Sequence, residues 1–368
     1  MGARNSNGEA RITQLPSGNY NTRVEVNGRR CSVTGRTKEE VRQKRRELLG
    51  RGDKGTVPRS EKWTVTQYLE HWLENVIKPN RRSATYRDYW TIVHRHAIPA
   101  FGGVKLGKLQ PAHLETLYST MRGKGLAAKT VRNAHGTIHA ALGHALRQDL
   151  IERNVAEAVD PPKAQRPEIH VFTRDQAKTL RDAIAGTRWE AMITLAIATG
   201  MRQGELLGLQ WRDVDAERGR VQVSRQLDRD KTLSDTKTAK GRRVIDVPAF
   251  ALDALKTHRA RQLEHRLVAG PDWEDNDLVF TTYRGRPLGH RNVIREYAKL
   301  LQRAGLPHVE FHGLRHTAAT LMLVQGVPAK VVQEILGHSQ ISVTMDVYSH
   351  VTPGMGKDAA DKLHELLG

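Results

Sequence analysis

The fold of the C-terminal half is decided by residues 189–209, which read WEAMITLAIATGMRQGELLGL. Apolar residues dominate 189–198 on every face, and this pattern predicts a helix that is buried on all sides. Thr199-Gly200 breaks the pattern, because glycine commonly ends a helix. Arg202 then begins a second helix. We therefore expect a charged side chain to stand at a turn directly beside a buried helix.

The residues that follow this segment predict more helix and a little strand. Residues 220–226 and 242–247 are predicted to be strands, joined by a polar turn that contains Lys237. Further helices are predicted near 249–266, 290–304, 313–325 and 328–336. The sequence thus predicts a mainly α domain with a small antiparallel sheet over residues 168–368.

Residues 61–160 predict an all-α domain, because apolar side chains recur at helical spacing in four segments. Pro99 and Gly102-Gly103 are predicted to end the second of these helices, since proline lacks the amide that continues a helix. Linkers rich in glycine, proline and charged residues flank the domain at 50–60 and 160–170.

Residues 1–55 predict a small α+β module, a three-stranded sheet with one helix. Asn27-Gly28 is a strong hairpin signal between two strand-like stretches. Residues 37–40 read Thr-Lys-Glu-Glu, the pattern of a capping box, and so begin a helix that runs through Leu48 and Leu49. The core of such a module is small, and its charge suits it to hold a charged partner.

Positive charge is spread along the whole chain of 368 residues. The net charge is +19, and residues 1–60, 61–165 and 166–368 contribute +8, +6 and +5. A polyanion that contacts every domain, above all a nucleic acid, accounts for this distribution. A generally basic surface without a specific ligand is the alternative.

Composition argues against several classes of protein. Hydrophobic residues make up 38% of the chain, enough for packed cores, and no run approaches the ~18 apolar residues of a membrane span. Residues 1–10 have no apolar stretch of the kind found in secretory signals. Met1-Gly2 with Ser6 fits the myristoylation pattern, but the residues that follow are basic and polar. The single cysteine, Cys31, excludes an intrachain disulfide and a cysteine-cluster zinc site.

Three short stretches resemble cofactor-binding motifs, but the residues around each of them argue against that function. Residues 123–128 read GKGLAA and are spaced like a dinucleotide fingerprint, but they follow a helix rather than a strand. Residues 50–56 half-match a phosphate loop without its Gly-Lys-Ser/Thr ending. His312 and His316 are spaced for two metal ligands on one helix face, yet no glutamate follows His312 and Arg315 would repel a cation. We expect no ATP, metal ion or other cofactor.

Five widely spaced boxes in the C-terminal half stand out when they are taken together. They read ATGMRQGELLGLQW at 198–211, KT at 237–238, HGLRH at 312–316, LGH at 336–338 and YSH at 348–350. In this order they resemble the tyrosine recombinase family, the phage-type integrases. The resemblance covers the whole C-terminal domain, and every signature position is filled.

The resemblance implies a set of active-site residues. Lys237 is preferred to the nearby Lys231 and Lys240 because Lys237-Thr238 precedes a basic strand. The implied set comprises Tyr348 as the nucleophile, Arg202, Arg315, Lys237, His312 and His338 as further catalytic residues, and Glu205 as a supporting residue.

Cleavage of DNA without a metal ion needs the same residue types. The phenol of Tyr348 would attack phosphorus and lose its proton as it does so. Two arginines can grip the non-bridging oxygens with planar, permanently charged guanidinium groups. A lysine can protonate the departing 5′ oxygen, while His312 can take or return the phenol proton and His338 can hydrogen-bond the phosphate. The product would be a 3′-phosphotyrosine link, whose retained ester energy allows rejoining without ATP.

The resemblance also implies an organisation and a set of partners. Residues 1–55 would bind arm sites on DNA, residues 61–160 would bind core sites, and residues 168–368 would catalyse the reaction. The expected partners are double-stranded DNA, further copies of the chain in a homotetramer, a host DNA-bending protein and an excisionase. We expect it to act in the bacterial cytoplasm, at the nucleoid, and not at a membrane.

The sequence therefore predicts a site-specific integrase of a phage or another mobile element. A transposon recombinase or an Xer-type resolvase is the close alternative, although residues 1–55 argue against the resolvase. A type IB topoisomerase would relax DNA that lacks attachment sites. A DNA-binding regulator without catalysis is the alternative from another class, and the filled signature positions argue against it.

Overall fold

The computed structural model describes residues 12–26, 29–53, 63–163, 170–236 and 241–338, together with residues 340, 341, 345, 364 and 367. The chain divides into two compact units, residues 1–166 and 167–368. Among the described helices, none is long and apolar enough to cross a membrane.

A three-stranded antiparallel sheet and one helix form the N-terminal module, as predicted. Val24, Val33 and Val41 are buried between the sheet and the helix and make a small core. The predicted turn at Asn27-Gly28 lies outside the described residues. The elements are β1 (Thr13–Gln14), β2 (Tyr20–Val26), β3 (Arg29–Gly35) and α1 (Lys38–Asp53), with the strands in the order β1-β2-β3.

Thr37 caps the first turn of α1. Its hydroxyl accepts a hydrogen bond from the Glu40 amide at 3.2 Å. The Glu40 carboxylate accepts one from the Arg36 amide at 2.8 Å, whereas a full capping box would use the Thr37 amide. The helix therefore begins where the sequence predicts, with the reciprocal bond displaced by one residue.

Four helices with one apolar core make up the rest of the first unit. Tyr68 is fully buried, and its hydroxyl donates to the Ala141 carbonyl at 2.8 Å, which ties the first of these helices to the last. The helices are α2 (Val65–Trp72, continued by Leu73–Ile77 and Lys78–Asn80), α3 (Ser83–Ile92, continued by Val93–Ala97 and Ile98–Phe101), α4 (Pro111–Gly123) and α5 (Ala128–Arg147).

Helices α2 and α3 each contain a proline that follows a π-helical turn. In α3 the turn Val93–Ala97 precedes Pro99 by two residues, and the turn in α2 is placed in the same way. The amide after each turn bonds to a carbonyl five residues back, and this wider turn relieves the clash of the proline ring with the preceding turn. The prediction that Pro99 ends α3 was wrong, because the helix continues to Phe101 and stops at Gly102-Gly103.

The second unit is built around the buried helix that the sequence predicts. All residues from Ala191 to Ile197 are buried, and helices from both sides pack on them. The elements are α6 (Arg174–Ile184), α7 (Glu190–Thr199), α8 (Gln203–Leu207), β4 (Val214–Asp215), β5 (Arg220–Val223), β6 (Arg225–Leu227), β7 (Leu233–Asp235), β8 (Arg243–Asp246), α9 (Ala249–Ala269), α10 (His290–Arg303), α11 (Gly313–Val324) and α12 (Ala329–Leu336).

The strand predicted at 220–226 is divided in the structure. Strand β5 pairs antiparallel with β8 as expected, but β6 pairs with β7 in a separate two-stranded ribbon. Strand β7 lies inside the stretch predicted as a polar turn. Its only apolar residue is Leu233, which pairs with Leu227. Such a short, polar strand carries almost no periodic signal.

Candidate active site

Two glycines in the left-handed conformation place two of the predicted site residues. Gly200 ends α7 with φ 62°, and Gly337 ends α12 with φ 66°. A Cβ on Gly200 would lie 2.3 Å from Cδ2 of Leu336, so this turn requires glycine both for its conformation and for the close approach of α12. Arg202 follows the first glycine by two residues and His338 directly follows the second.

Arg202 begins α8 and binds the carboxylate of Glu205. The Arg202 amide donates to Oε2 of Glu205 at 2.9 Å, and its Nη1 donates to Oε1 at 2.7 Å. The Arg202 side chain is 39% exposed, whereas that of Glu205 is 2% exposed. The carboxylate therefore holds the guanidinium from the buried side and leaves the group accessible from solvent.

A second arginine, which the sequence analysis did not select, binds the same carboxylate. Nη2 of Arg243 lies 2.9 Å from Oε2 of Glu205, and its Nη1 donates to Oε1 at 3.3 Å. Burial raises the pKa of Glu205, but hydrogen bonds and charge from Arg243, with the charge of Arg202, outweigh burial and lower it overall. Arg243 lies two residues before the buried Ile245 in the same strand, and alternate residues of a strand share one face. This inward-facing position is the sequence signal that could have revealed Arg243.

Three arginines donate to three successive carbonyl groups at the C-terminal end of α12. Nε of Arg243 donates to the Ile335 carbonyl at 2.6 Å, Nη2 of Arg315 to that of Leu336 at 2.7 Å, and Nη2 of Arg202 to that of Gly337 at 3.3 Å. The last carbonyls of a helix have no intrahelical donors and carry partial negative charge. The helix end therefore gathers positive charge from three separate elements.

Arg315 is buried at the centre of this cluster. It is 2% exposed, and its Nη1 donates to the Gly200 carbonyl at 2.8 Å. Burial, with the charge of Arg202, lowers its pKa to about 9. The group therefore remains protonated at neutral pH and joins the turn after α7 to the end of α12.

The two predicted histidines are neutral in the free protein. Burial and then the charge of Arg315 and Arg202 lower the pKa of His338 to about 3. His312 caps α11 and stays partly solvent-exposed, but desolvation and its neighbours His316 and Arg315 lower its pKa to about 4. A neutral imidazole can accept a proton or a hydrogen bond.

The structure thus brings together most of the predicted set. Arg202, Glu205, Arg315, His312 and His338 surround the end of α12 and the start of α11, and Arg243 joins them. Lys237, the alternative Lys240 and Tyr348 lie outside the described residues, so their roles stay predictions. Three guanidinium groups around one buried carboxylate leave an excess of positive charge, which suits a bound oxyanion such as a phosphate.

Metal-ligand chemistry has a different donor pattern from this cluster. Within the described ranges, no three His, Cys, Asp or Glu side chains are grouped to hold a metal ion. The rings of His312 and His316 are perpendicular, with centroids 5.1 Å apart, and Arg315 lies between them in sequence.

Comparison with known proteins gives matches along most of the chain. The phage integrase family matches residues 170–355, and the N-terminal SAM-like domain of phage integrases matches residues 64–122. A tyrosine recombinase XerC-like protein of Caldanaerobacter subterraneus subsp. tengcongensis is 30% identical over 355 residues, which cover 90% of this chain and 90% of that relative. An integrase of Saccharopolyspora erythraea is 28% identical across 98% of this chain and 97% of its own.

Solved structures share the fold. The Tn1549 transposon integrase in complex with a circular intermediate DNA aligns with a TM-score of 0.70 at 23% identity, covering 82% of this chain and 100% of that one. A λ integrase dimer bound to a COC′ core site aligns with a TM-score of 0.60 at 17% identity, covering 94% and 96%. The predicted multidomain fold, with its helical domain and its mainly α domain with small antiparallel sheets, is confirmed.

The family matches define an enzyme of DNA recombination. The chain belongs to the phage integrase family of tyrosine recombinases. Its activity is site-specific DNA recombination, as the sequence predicts.

Proposed function

We propose that this recombinase is the integrase of a mobile element, and that Tyr348 is its nucleophile. The observation that carries the proposal is the pairing of Arg202 and Arg315 at the end of α12, because the two guanidinium groups offer a site for one DNA phosphate. The relatives include the integrase of transposon Tn1549 and the integrase of ICEBs1 from Bacillus subtilis, which supports the mobile-element context.

The proposed reaction conserves the energy of the phosphoester bond, because one such bond forms as another breaks. The Tyr348 oxygen bonds to phosphorus, and the bond from phosphorus to the 5′ oxygen breaks. Lys237 gives its proton to that leaving oxygen, and the phenol proton passes to His312, which is neutral in the free protein. The products are a 3′-phosphotyrosine and a free 5′ hydroxyl, and attack by another 5′ hydroxyl reverses the steps.

Arg202 and Arg315 act on the charge that develops at phosphorus. Arg202 is partly exposed and can reach a bound phosphate from the solvent side, while the buried Arg315 supplies fixed charge from within the protein. His338 donates a hydrogen bond to the same group through its ring N–H. Fixed donors of this kind lower the barrier because they need no reorganisation during the reaction.

The N-terminal module and the helical domain provide the DNA specificity in this proposal. Residues 1–55 bind arm sites, residues 61–160 bind core sites, and residues 168–368 cut. Four copies of the chain assemble on two core sites, with a host DNA-bending protein and an excisionase as accessory partners. The enzyme acts on the bacterial chromosome, which places it in the cytoplasm at the nucleoid.

An Xer-type resolvase is the second candidate, and the XerC-like relative favours it. The two candidates differ in the use of the N-terminal module, since a resolvase has no arm sites to bind. A topoisomerase is distinguished by relaxation of a plasmid that lacks attachment sites, which we expect this enzyme to perform poorly.

The nucleophile is tested with a nicked suicide substrate that carries a core site. Tyr348→Phe is expected to abolish the denaturant-resistant DNA adduct and to leave core-site binding unchanged, because only the attacking oxygen is removed. Adducts are measured on a denaturing gel and binding by mobility shift. An adduct formed by the Phe variant would overturn the assignment.

A matched pair of variants tests the anion site. Arg202→Gln is expected to slow cleavage by about 100- to 1000-fold, the usual cost of losing one donor to a charged transition state. Arg212→Gln changes an exposed arginine of the same unit, whose side chain is 65% exposed, and should cleave at the wild-type rate. Equal rates for the two variants would contradict the assignment of Arg202.

A further inference from the structure

Arg243 occupies a junction that none of the expected catalytic residues occupies. Its side chain is 7% exposed and comes from strand β8. It bonds both oxygens of Glu205, the carbonyl of Ile335 and the carbonyl of Gly241. One side chain thus touches α8, the end of α12 and the residue two positions before its own strand.

Each of these contacts leads to a different part of the proposed site. Glu205 holds the guanidinium of Arg202, and Ile335 lies three residues before His338. Strand β8 begins directly after residues 237–242, the segment that contains the proposed general acid Lys237. Arg243 therefore joins the element that carries Arg202 to the helix end that precedes His338.

Arg243 has no free face for a DNA phosphate. Its three nitrogens point at protein oxygens, and the group is almost fully buried. Arg202, in contrast, binds the same carboxylate but is 39% exposed. The two arginines share Glu205, with one directed to solvent and the other directed into the protein.

We propose that Arg243 is a positioning residue for strand cleavage, which holds the carboxylate of Glu205 in place so that Arg202 is presented to the phosphate, and which fixes the end of α12 beside it. This inference rests on the proposed function of Arg202 as a phosphate ligand. Arg243 itself contacts no reacting atom.

The positive charge of Arg243 explains why a neutral residue could not replace this arginine. The carboxylate of Glu205 is buried, and burial alone would favour its protonated form. The charged and titratable groups that face it are Arg202 at the start of α8, Arg243 on β8, and Arg315 and His312 at the start of α11. Among them, Arg243 contributes most to lowering the pKa of Glu205. Its removal should therefore raise the pKa of Glu205 and release Arg202 as the pH falls.

The test compares one substitution at two adjacent arginines. Arg243→Gln is expected to lower the cleavage rate of the suicide substrate by about 100-fold, the usual cost of a small misplacement of reacting groups. Core-site binding should change less than threefold. Arg242→Gln is the control, because Arg242 is 61% exposed and pairs with Asp235 on the surface, and its cleavage rate should equal that of the wild type.

The pH profile separates positioning from mere stabilisation of the fold. The acid limb of the cleavage rate should move to higher pH in Arg243→Gln, because Glu205 then takes up a proton more readily. Arg243→Lys keeps the positive charge but loses the planar guanidinium group that bonds both oxygens of Glu205. The acid limb of its cleavage rate should therefore return to the wild-type pH, while the rate itself should recover only in part. Glu205→Gln combined with Arg243→Gln should be no slower than the slower single variant.

The outcomes are distinct. If the wild type forms an adduct and Arg243→Gln matches Arg242→Gln in rate and pH profile, the positioning role is overturned. A slow Arg243→Gln with an unshifted acid limb and a lowered melting temperature also overturns it, in favour of a purely structural role. Failure of the wild type to form an adduct, or of Arg202→Gln to slow cleavage, would instead overturn the proposed function.

Discussion

At the scale of single residues, the site combines charged arginines with neutral histidines. The pKa of Arg315 stays well above neutrality, at about 9, while those of His312 and His338 fall to about 4 and about 3. A bound phosphate brings negative charge, which raises the pKa of a nearby imidazole. In the proposed reaction, bound DNA would therefore make the histidines better proton acceptors.

The pKa of His338 predicts how stability changes in acid. The unfolded chain holds a proton on this histidine below about 6.5, whereas the folded protein holds it only below about 3. Since the unfolded state binds more protons between these values, the free energy of unfolding should fall as the pH drops through this window. Between pH 7 and pH 5, the free energy of unfolding of His338→Asn should therefore fall by up to about 2 kcal/mol less than that of the wild type. Urea denaturation at the two pH values measures the difference, and parallel losses in both proteins would contradict it.

At the scale of secondary structure elements, helix ends build the site. Helix α7 ends at Gly200, α8 begins at Arg202, α11 begins after His312, and α12 ends at Gly337. Helix ends leave backbone groups unpaired, and in this enzyme arginine side chains satisfy the carbonyls of α12. The same bonds that complete the helix also hold the cationic groups in place.

Two glycine substitutions should have opposite effects on stability. Gly136 lies inside α5 with an exposed surface, and a Cβ there would meet nothing within 4 Å. Gly136→Ala should therefore stabilise the protein by about 0.5–1 kcal/mol, since alanine is the better helix former. Gly200→Ala should destabilise it by about 1–3 kcal/mol, because φ is positive and the new Cβ meets Leu336. Thermal unfolding of both variants provides the measurement, and a shift of the same sign in both would refute the argument.

At the scale of the whole molecule, the chain has separate hydrophobic cores. The N-terminal module has its own small core of Val24, Val33 and Val41, and the helical domain has a larger core of its own. The catalytic domain packs around α7. Among the described residues, the core residues of the helical domain and of the second unit therefore form separate clusters.

Removal of residues 1–55 should separate arm binding from core cleavage. The truncated protein should still cut a suicide core site, because the helical and catalytic cores are intact. Its affinity for DNA that carries both arm and core sites should fall by about 100-fold or more, since tethered binding is lost. Mobility shifts on DNA with and without arm sites provide the comparison. An identical pattern for the truncated and full-length proteins would contradict bivalent binding.

Much of the fold could be predicted because the signals are local. Helix α10 was predicted at 290–304 and spans His290–Arg303, since its apolar spacing is strong over the whole length. Strand β7 was missed because three mostly polar residues carry no period. The continuation of α3 past Pro99 was missed because the π-helical turn that admits the proline has no simple sequence signature.

The sequence by itself determined the chemistry of this protein and its order along the chain: the helices, the glycine breaks, and the arginines and histidines placed at those breaks. Only the tertiary structure decided which of them meet. The bonds from Arg243 to Ile335 and from Arg202 to Gly337 join residues 92 and 135 positions apart, and no local pattern encodes a contact at that separation. In the sequence, Arg243 has the features of an ordinary strand residue. Its role becomes visible only in the folded protein, where α12 packs against β8 and its three terminal carbonyls accept hydrogen bonds from three arginines.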